Sequence, residues 1–166
     1  MHLKTSQGSA YIHNLDLIDK SKENILFVPG AGMDHRVADL FHPNPNIFNK
    51  VISVDLPGHG SSLPSDASTI EEYADFISAC LKQIDLRNIH LCGHSMGGLV
   101  CMSLASSNIK LFKSVSIFNC QYPLFVGSAL LDGSSRNLDE AADFLTKYGV
   151  YKIPSKEKSK KSFGVM

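Results

Sequence analysis

The sequence is short of several things, and each shortage removes a class of function. There is no excess of either charge: 16 Lys and Arg balance 16 Asp and Glu over 166 residues. A neutral chain has no bulk electrostatic pull on nucleic acid or on an anionic membrane surface, so neither is expected as a partner. No apolar run approaches the roughly 20 residues that cross a bilayer. No apolar core follows Met1-His2-Leu3-Lys4-Thr5-Ser6, so a secretory leader is not indicated. The four cysteines, Cys80, Cys92, Cys101 and Cys120, include no C-x-x-C pair. They read as reduced, buried thiols of a cytoplasmic protein. No two histidines stand at helical ligand spacing with a carboxylate, so no metal or other cofactor is expected. No internal repeat is present. What remains, 43% hydrophobic and 19% charged, fits one globular domain with room for a core.

The informative stretch is Gly93-His94-Ser95-Met96-Gly97-Gly98. An apolar run, Ile89 to Cys92, precedes it, and another, Leu99 to Ala105, follows. That order reads as strand, tight turn, helix, and the turn has the form G-x-S-x-G. A strand that reverses sharply into a helix strains the residue at the apex. Small neighbours are needed for the two backbones to pass. Gly93 and Gly97 supply that room, and Gly98 lets the helix lie close. Ser95 is then pushed outward, beside the free N–H groups and positive dipole end of the helix that begins at Met96. A serine so placed is a candidate nucleophile with half an oxyanion hole beside it. The competing bland reading is a glycine-rich turn with an incidental serine.

Elsewhere the pattern alternates. Residues 2 to 15 read as a hairpin of outer strands. Ile25 to Val28 and Val51 to Val54 are short, wholly apolar strands of the kind buried in a parallel sheet. Arg36 to Phe41 reads as a short helix stopped by Pro43 and Pro45. Ser68 with Glu71 reads as the capping box of a helix with apolar positions from Ile70 to Ile84. Lys113 to Asn119 is one more strand. Strands alternating with helices argue a parallel sheet with right-handed crossovers. Past Gln121, Asn137 caps a lone amphipathic helix through Tyr148 that Gly149 ends. The Lys-rich residues 156–161 read as a solvated tail.

Three motifs, in order, resemble the α/β-hydrolases of the esterase and lipase-like branch. Val28-Pro29-Gly30-Ala31-Gly32-Met33 is similar to the oxyanion loop after the family's third strand, where His-Gly is commoner than Pro-Gly. Asp55-Leu56-Pro57-Gly58-His59-Gly60-Ser61-Ser62 matches the D-x-P-G-x-G-x-S loop. Gly93 to Gly98 is the nucleophile elbow. The resemblance implies an α/β three-layer sandwich around a mostly parallel sheet. It implies a core over 1–120, the start of a helical lid over 121–151, and a basic tail over 152–166. It makes Ser95 the nucleophile, with the backbone N–H groups of Met96 and Ala31 as the oxyanion hole. The reaction it implies is hydrolysis of an ester or related small acyl substrate through an acyl-enzyme.

The chain departs from the family where the base should be. The family triad runs Ser, Asp or Glu, then His, yet His2, His13, His35, His42, His59, His90 and His94 all precede Ser95. His94 adjoins the serine but leaves the turn in another direction. His35 and His59 lie on loops at the same end of the sheet. Acid candidates are Asp132, Asp139 and Asp143, where a solvated helix face is the plainer role. The sequence therefore reads as a form truncated after the sixth strand, with the strand near Val115 as an apolar edge open to association. The alternative is a catalytically inactive binding or partner protein on the same fold. A dinucleotide reading of Gly30-Ala31-Gly32 fails on His35 at the third glycine position.

Overall fold

Period-two burial along the strands builds a six-stranded mixed sheet in the computed structural model, which describes residues 1–148. The strands are β1 (His2–Thr5), β2 (Gly8–His13), β3 (Asn24–Val28), β4 (Ile52–Val54), β5 (Ile89–His94) and β6 (Phe112–Phe118), ordered β1-β2-β4-β3-β5-β6. β1 and β2 form the outer antiparallel hairpin, and β2 runs antiparallel to β4. The remaining pairs are parallel, so the C-terminal ends of β3, β4 and β5 open on one side. The expected α/β architecture is what the chain adopts.

The alternation sets the two faces. Leu26 and Val28 of β3 and Leu91 of β5 join the main core with α1 (Ile70–Leu81) and α2 (Met96–Ser107). Ile25, Phe27 and Cys92 point the other way, onto Ala38 and Val51. That second face is thinly covered, by a 3-10 turn over His35–Leu40 and the chain after it. Phe27, Cys92 and Phe118 line an apolar groove of about 300 Å³ there. β6 is the sheet edge expected from the sequence, and Val115, Ile117 and Phe118 along it are 39%, 39% and 45% exposed.

Three local expectations are corrected. The cap of α1 is Thr69, not Ser68, and its partner is Glu72, not Glu71. Both spacings match the box. The Glu72 register wins because one carboxylate accepts from the Ser68 and Thr69 N–H groups together, at 2.7 and 2.9 Å. Those two bonds hold the Glu72 carboxyl below its ordinary range. α1 ends at Leu81, where Gln83 N–H turns back to the Cys80 carbonyl, so Ile84 lies beyond it. Of the thiols, Cys80 and Cys101 are buried while Cys92 and Cys120 are only partly so.

The chain divides into two units, Met1–Tyr122 and a second beginning at Pro123. The second holds two helices rather than one, α3 (Ser128–Arg136) and α4 (Leu138–Tyr148). α4 starts as expected, with Asn137 Oδ1 accepting from Asp139 N–H at 2.9 Å. Gly133 of α3 packs against α4, where a Cβ would lie in ordinary contact, 3.6 Å from Ala141 N. The expected stop at Gly149 and the basic tail lie outside the described residues.

Candidate functional site

Sequence forces an unusual corner at the end of β5. Ser95 has φ 53° and ψ −123° between β5 and α2, a conformation that non-glycine residues hold only where surroundings impose it. The imposition comes from close packing. A Cβ on Gly93 would collide with the Gly97 carbonyl and reach the Cys101 sulfur at 2.7 Å; one on Gly97 would collide with the Val28 and Pro29 carbonyls. On α2's other side, a Gly98 Cβ would come within 2.8 Å of Ile117 and 2.9 Å of Cys120. The helix is thus pressed onto β3, β5 and β6 at once. Ser95 N–H donates to the Phe118 carbonyl at 2.9 Å, and Gly98 N–H closes on the Ser95 carbonyl at 2.8 Å. Ser95 itself is partly exposed. Because α2 begins at Met96, the Met96 N–H lies among the first donors of a helix, which have no intrahelical acceptor.

The loop after β3 comes down against this corner. Gly30 is buried; a Cβ on it would lie 3.2 Å from Ser95 Cβ and 3.1 Å from both the His94 carbonyl and His94 Nδ1. Met33 N–H donates to the Gly30 carbonyl at 3.1 Å, Gly32 takes φ 72°, and Ala31 at the tip is exposed. The loop therefore holds its backbone beside Ser95 with Ala31 facing out.

The Asp55 motif is a polar plug. The Asp55 carboxylate, fully buried, accepts from His35 N–H at 2.7 Å, His35 Nδ1–H at 2.8 Å and Ser61 N–H at 2.8 Å. Ser62 Oγ donates to the Asp55 carbonyl at 2.7 Å and accepts from Tyr11 N–H at 2.8 Å. Beside it Asp34 takes Arg36 Nη2 in a close ion pair at 2.6 Å. Burial raises the Asp34 carboxyl, but the Arg36 guanidinium and backbone N–H outweigh it and hold it below its ordinary range. This plug fixes the loop after β3 to the loop after β4. The His35–Asp55 partnership was missed from sequence; the only signal was an aspartate and a histidine on consecutive strand-end loops.

The structure also places five of the seven histidines. His35 stacks on Tyr11 and His13 of β2, with ring centroids 4.6 and 4.8 Å away. β2 lies three strand positions from β5, about 14 Å, so His35 serves the plug. His59 Nδ1–H donates to the Pro57 carbonyl at 3.0 Å and meets Tyr73 edge-on. His13 pairs with Asp39 at 2.9 Å. His90 sits at the far end of β5, with Ser114 Oγ 2.8 Å from Nδ1 and Glu23 3.3 Å from Nε2. His94 turns inward, under Gly30, and burial pushes it below the usual histidine range. Asp132 belongs to α3, and Asp139 and Asp143 to α4, in the second unit. Among the described residues no group of three or more His, Cys, Asp or Glu could hold a metal ion, and no helix is long and apolar enough to cross a membrane.

This geometry has known counterparts. The chain matches the model of the alpha/beta hydrolase family over residues 25–155. It is 32% identical over 105 residues to (E)-2-((N-methylformamido)methylene)succinate hydrolase of Acinetobacter baylyi, covering 60% of this chain and 38% of that protein. It is 30% identical over 115 residues to the dihydrolipoyllysine-residue acetyltransferase component of the acetoin cleaving system of Pseudomonas putida, covering 69% and 31%. The fold superposes on an esterase from Exiguobacterium antarcticum with a TM-score of 0.81 at 14% identity, over 99% of this chain and 66% of that one. The chain thus spans about a third of the length of these curated relatives, 38% and 31%.

Proposed function

This chain belongs to the alpha/beta hydrolase family, and from that premise we propose that it carries the nucleophile half of a serine hydrolase acting on an ester or related acyl compound. The observation that supports this reading is the Ser95 corner. A serine is held at φ 53° on a partly exposed apex, beside a helix start and a glycine loop. Strain of that kind costs about 1–3 kcal/mol and persists where function selects it. Of the two curated relatives named above, one is a hydrolase and the other an acetyltransferase component.

In the proposed cycle Ser95 Oγ bonds to the acyl carbon as its proton passes to a base. The carbonyl oxygen becomes an oxyanion and takes the N–H groups of Met96 and Ala31. Collapse breaks the bond to the leaving group, which takes the proton, and water then repeats the attack to release the acid. One oxyanion donor is worth about 3 kcal/mol of transition-state stabilisation. Each histidine of the sequence whose ring partners were traced above is engaged away from Ser95.

That same observation favours a second reading, a binding protein that keeps the corner without the chemistry. A fluorophosphonate probe separates them. Labelling of Ser95 that disappears in Ser95→Ala supports the hydrolase; no labelling of the folded chain supports the binding protein.

A further inference from the structure

We propose that the free edge of β6 is a self-association surface: two copies of this chain join their β6 strands antiparallel about a twofold axis at Ser116, making one continuous sheet. The inference does not depend on the Ser95 chemistry. β6 is the last strand of the sheet and pairs with β5 on one side only. A bare edge invites a further strand, and proteins ordinarily blunt it with charge, proline, a bulge or a short length. Here the blunting is confined to the start of the strand. Ile89 pairs with Phe112 and His90 with Ser114, so Lys113 is the extra residue of a bulge. Its ammonium is drawn away to Glu23 at 2.7 Å. From Ser114 to Phe118 the pairing is regular, with no charge and no proline.

Hydrogen-bond phase and residue pattern together select a second copy as the occupant. The Phe118 carbonyl accepts from Ser95 N–H at 2.9 Å, so Phe118 turns its backbone groups toward β5. Alternation turns those of Ser114 and Ser116 the same way and those of Val115 and Ile117 outward. A ladder forms only in a register that sets outward residue against outward residue. With the axis at Ser116, Val115 of each copy lies opposite Ile117 of the other, and both residues exchange N–H···O=C bonds without calling on the bulge. Ser116 then faces its own image. The edge is thus its own complement, with β-branched side chains in cross-strand pairs. The half-exposed Val115, Ile117 and Phe118 of both copies are covered together. A net charge of zero leaves the copies without mutual repulsion. An axis perpendicular to the sheet keeps both α2 helices on one face, each seated over its own Ile117. Each copy has a single β6, so the assembly closes at two.

The test uses the full chain. Sedimentation velocity from low to high micromolar concentration should show a reversible monomer–dimer equilibrium and nothing larger. As the dimer fills, exchange of the Val115 and Ile117 amides should slow by about tenfold, as expected for one gained hydrogen bond each. Val115→Lys sets an ammonium against Ile117 of the second copy and should weaken association by about tenfold or more, with the circular dichroism of the monomer unchanged. Ser116→Cys, in a chain that also carries Cys92→Ala and Cys120→Ala, should form an intermolecular disulfide with oxidised glutathione. Opposed residues of a non-hydrogen-bonded pair stand about 4.5 Å apart at Cα, within disulfide reach. Ser114→Cys in the same background lies opposite Phe118 and should not link. A wild type that stays monomeric at high micromolar concentration overturns the proposal, as do open-ended oligomers. So does a dimer that Val115→Lys leaves intact, or one that links through Ser114→Cys and not through Ser116→Cys. Should Val115→Lys not fold, amide exchange and cross-linking decide it.

Discussion

Two histidines share one face of β5, four residues apart, and their fates differ. His90, at the lower end, has a partner on each ring nitrogen, Ser114 and Glu23. Lys113 closes the same cluster onto Glu23 at 2.7 Å. Around it Asn49 donates to Asn24 and to the Asp19 carbonyl, both at 2.9 Å, and Asn24 donates to the Arg87 carbonyl at 2.7 Å. At the upper end His94 has an orphan nitrogen, Ser95 is strained and Gly93 and Gly97 tolerate no side chain. One strand thus runs from a satisfied anchor to an unsatisfied corner. The lesson is that the polar bonds at one end, with the core between, hold the other end in a conformation it would not choose.

Breaking the upper end directly has the largest expected effect. Gly97→Ala drives a methyl into the Val28 and Pro29 carbonyls, backbone that cannot rotate away. A loss of about 3 kcal/mol or more, or no folded protein, is expected in a urea melt. Breaking the anchor is next. Asn49→Ala leaves the buried Asn24 Oδ1 and the Asp19 carbonyl without their donor, for about 1–3 kcal/mol in the same melt. Relaxing the corner should act in the opposite direction: Ser95→Gly accepts φ 53° without strain and gains about 1 kcal/mol, whereas Ser95→Ala keeps the strain and gains nothing comparable.

A pH titration sharpens the contrast between the ends. Burial lowers the folded-state pKa of His94 below its ordinary value of 6.5. The unfolded chain binds that proton first as pH falls, so native stability declines from pH about 6.5 down to the folded value and levels off below it. His94→Gln should flatten that part of the curve. The smallest effect belongs to the exposed rim of the anchor: Lys113→Ala should leave the melting temperature within about 2 °C.

What could be read from sequence follows from range. The apolar runs Ile25 to Val28, Val51 to Val54 and Ile89 to Cys92 announce buried parallel strands locally, and the glycines around Ser95 announce the corner. α3 could not be read that way: Ser128–Arg136 follows Gly127, which offers no side-chain cap, and carries Gly133 within it. The choice of Thr69 over Ser68 turned on which glutamate collects two backbone donors. His35 with Asp55, 20 residues apart in sequence, and His94 under Gly30 depend on how strand-end loops meet, which spacing does not encode.

The account depends on main-chain donors waiting for negative charge beside Ser95, and a crystal structure of the chain with an alkyl boronic acid tests that most directly. It predicts boron bonded to Ser95 Oγ, tetrahedral, with one boronate oxygen within hydrogen-bonding distance of the Met96 and Ala31 N–H groups. Boron bound to another side chain, or bound to Ser95 with its oxygens turned to solvent, would contradict it.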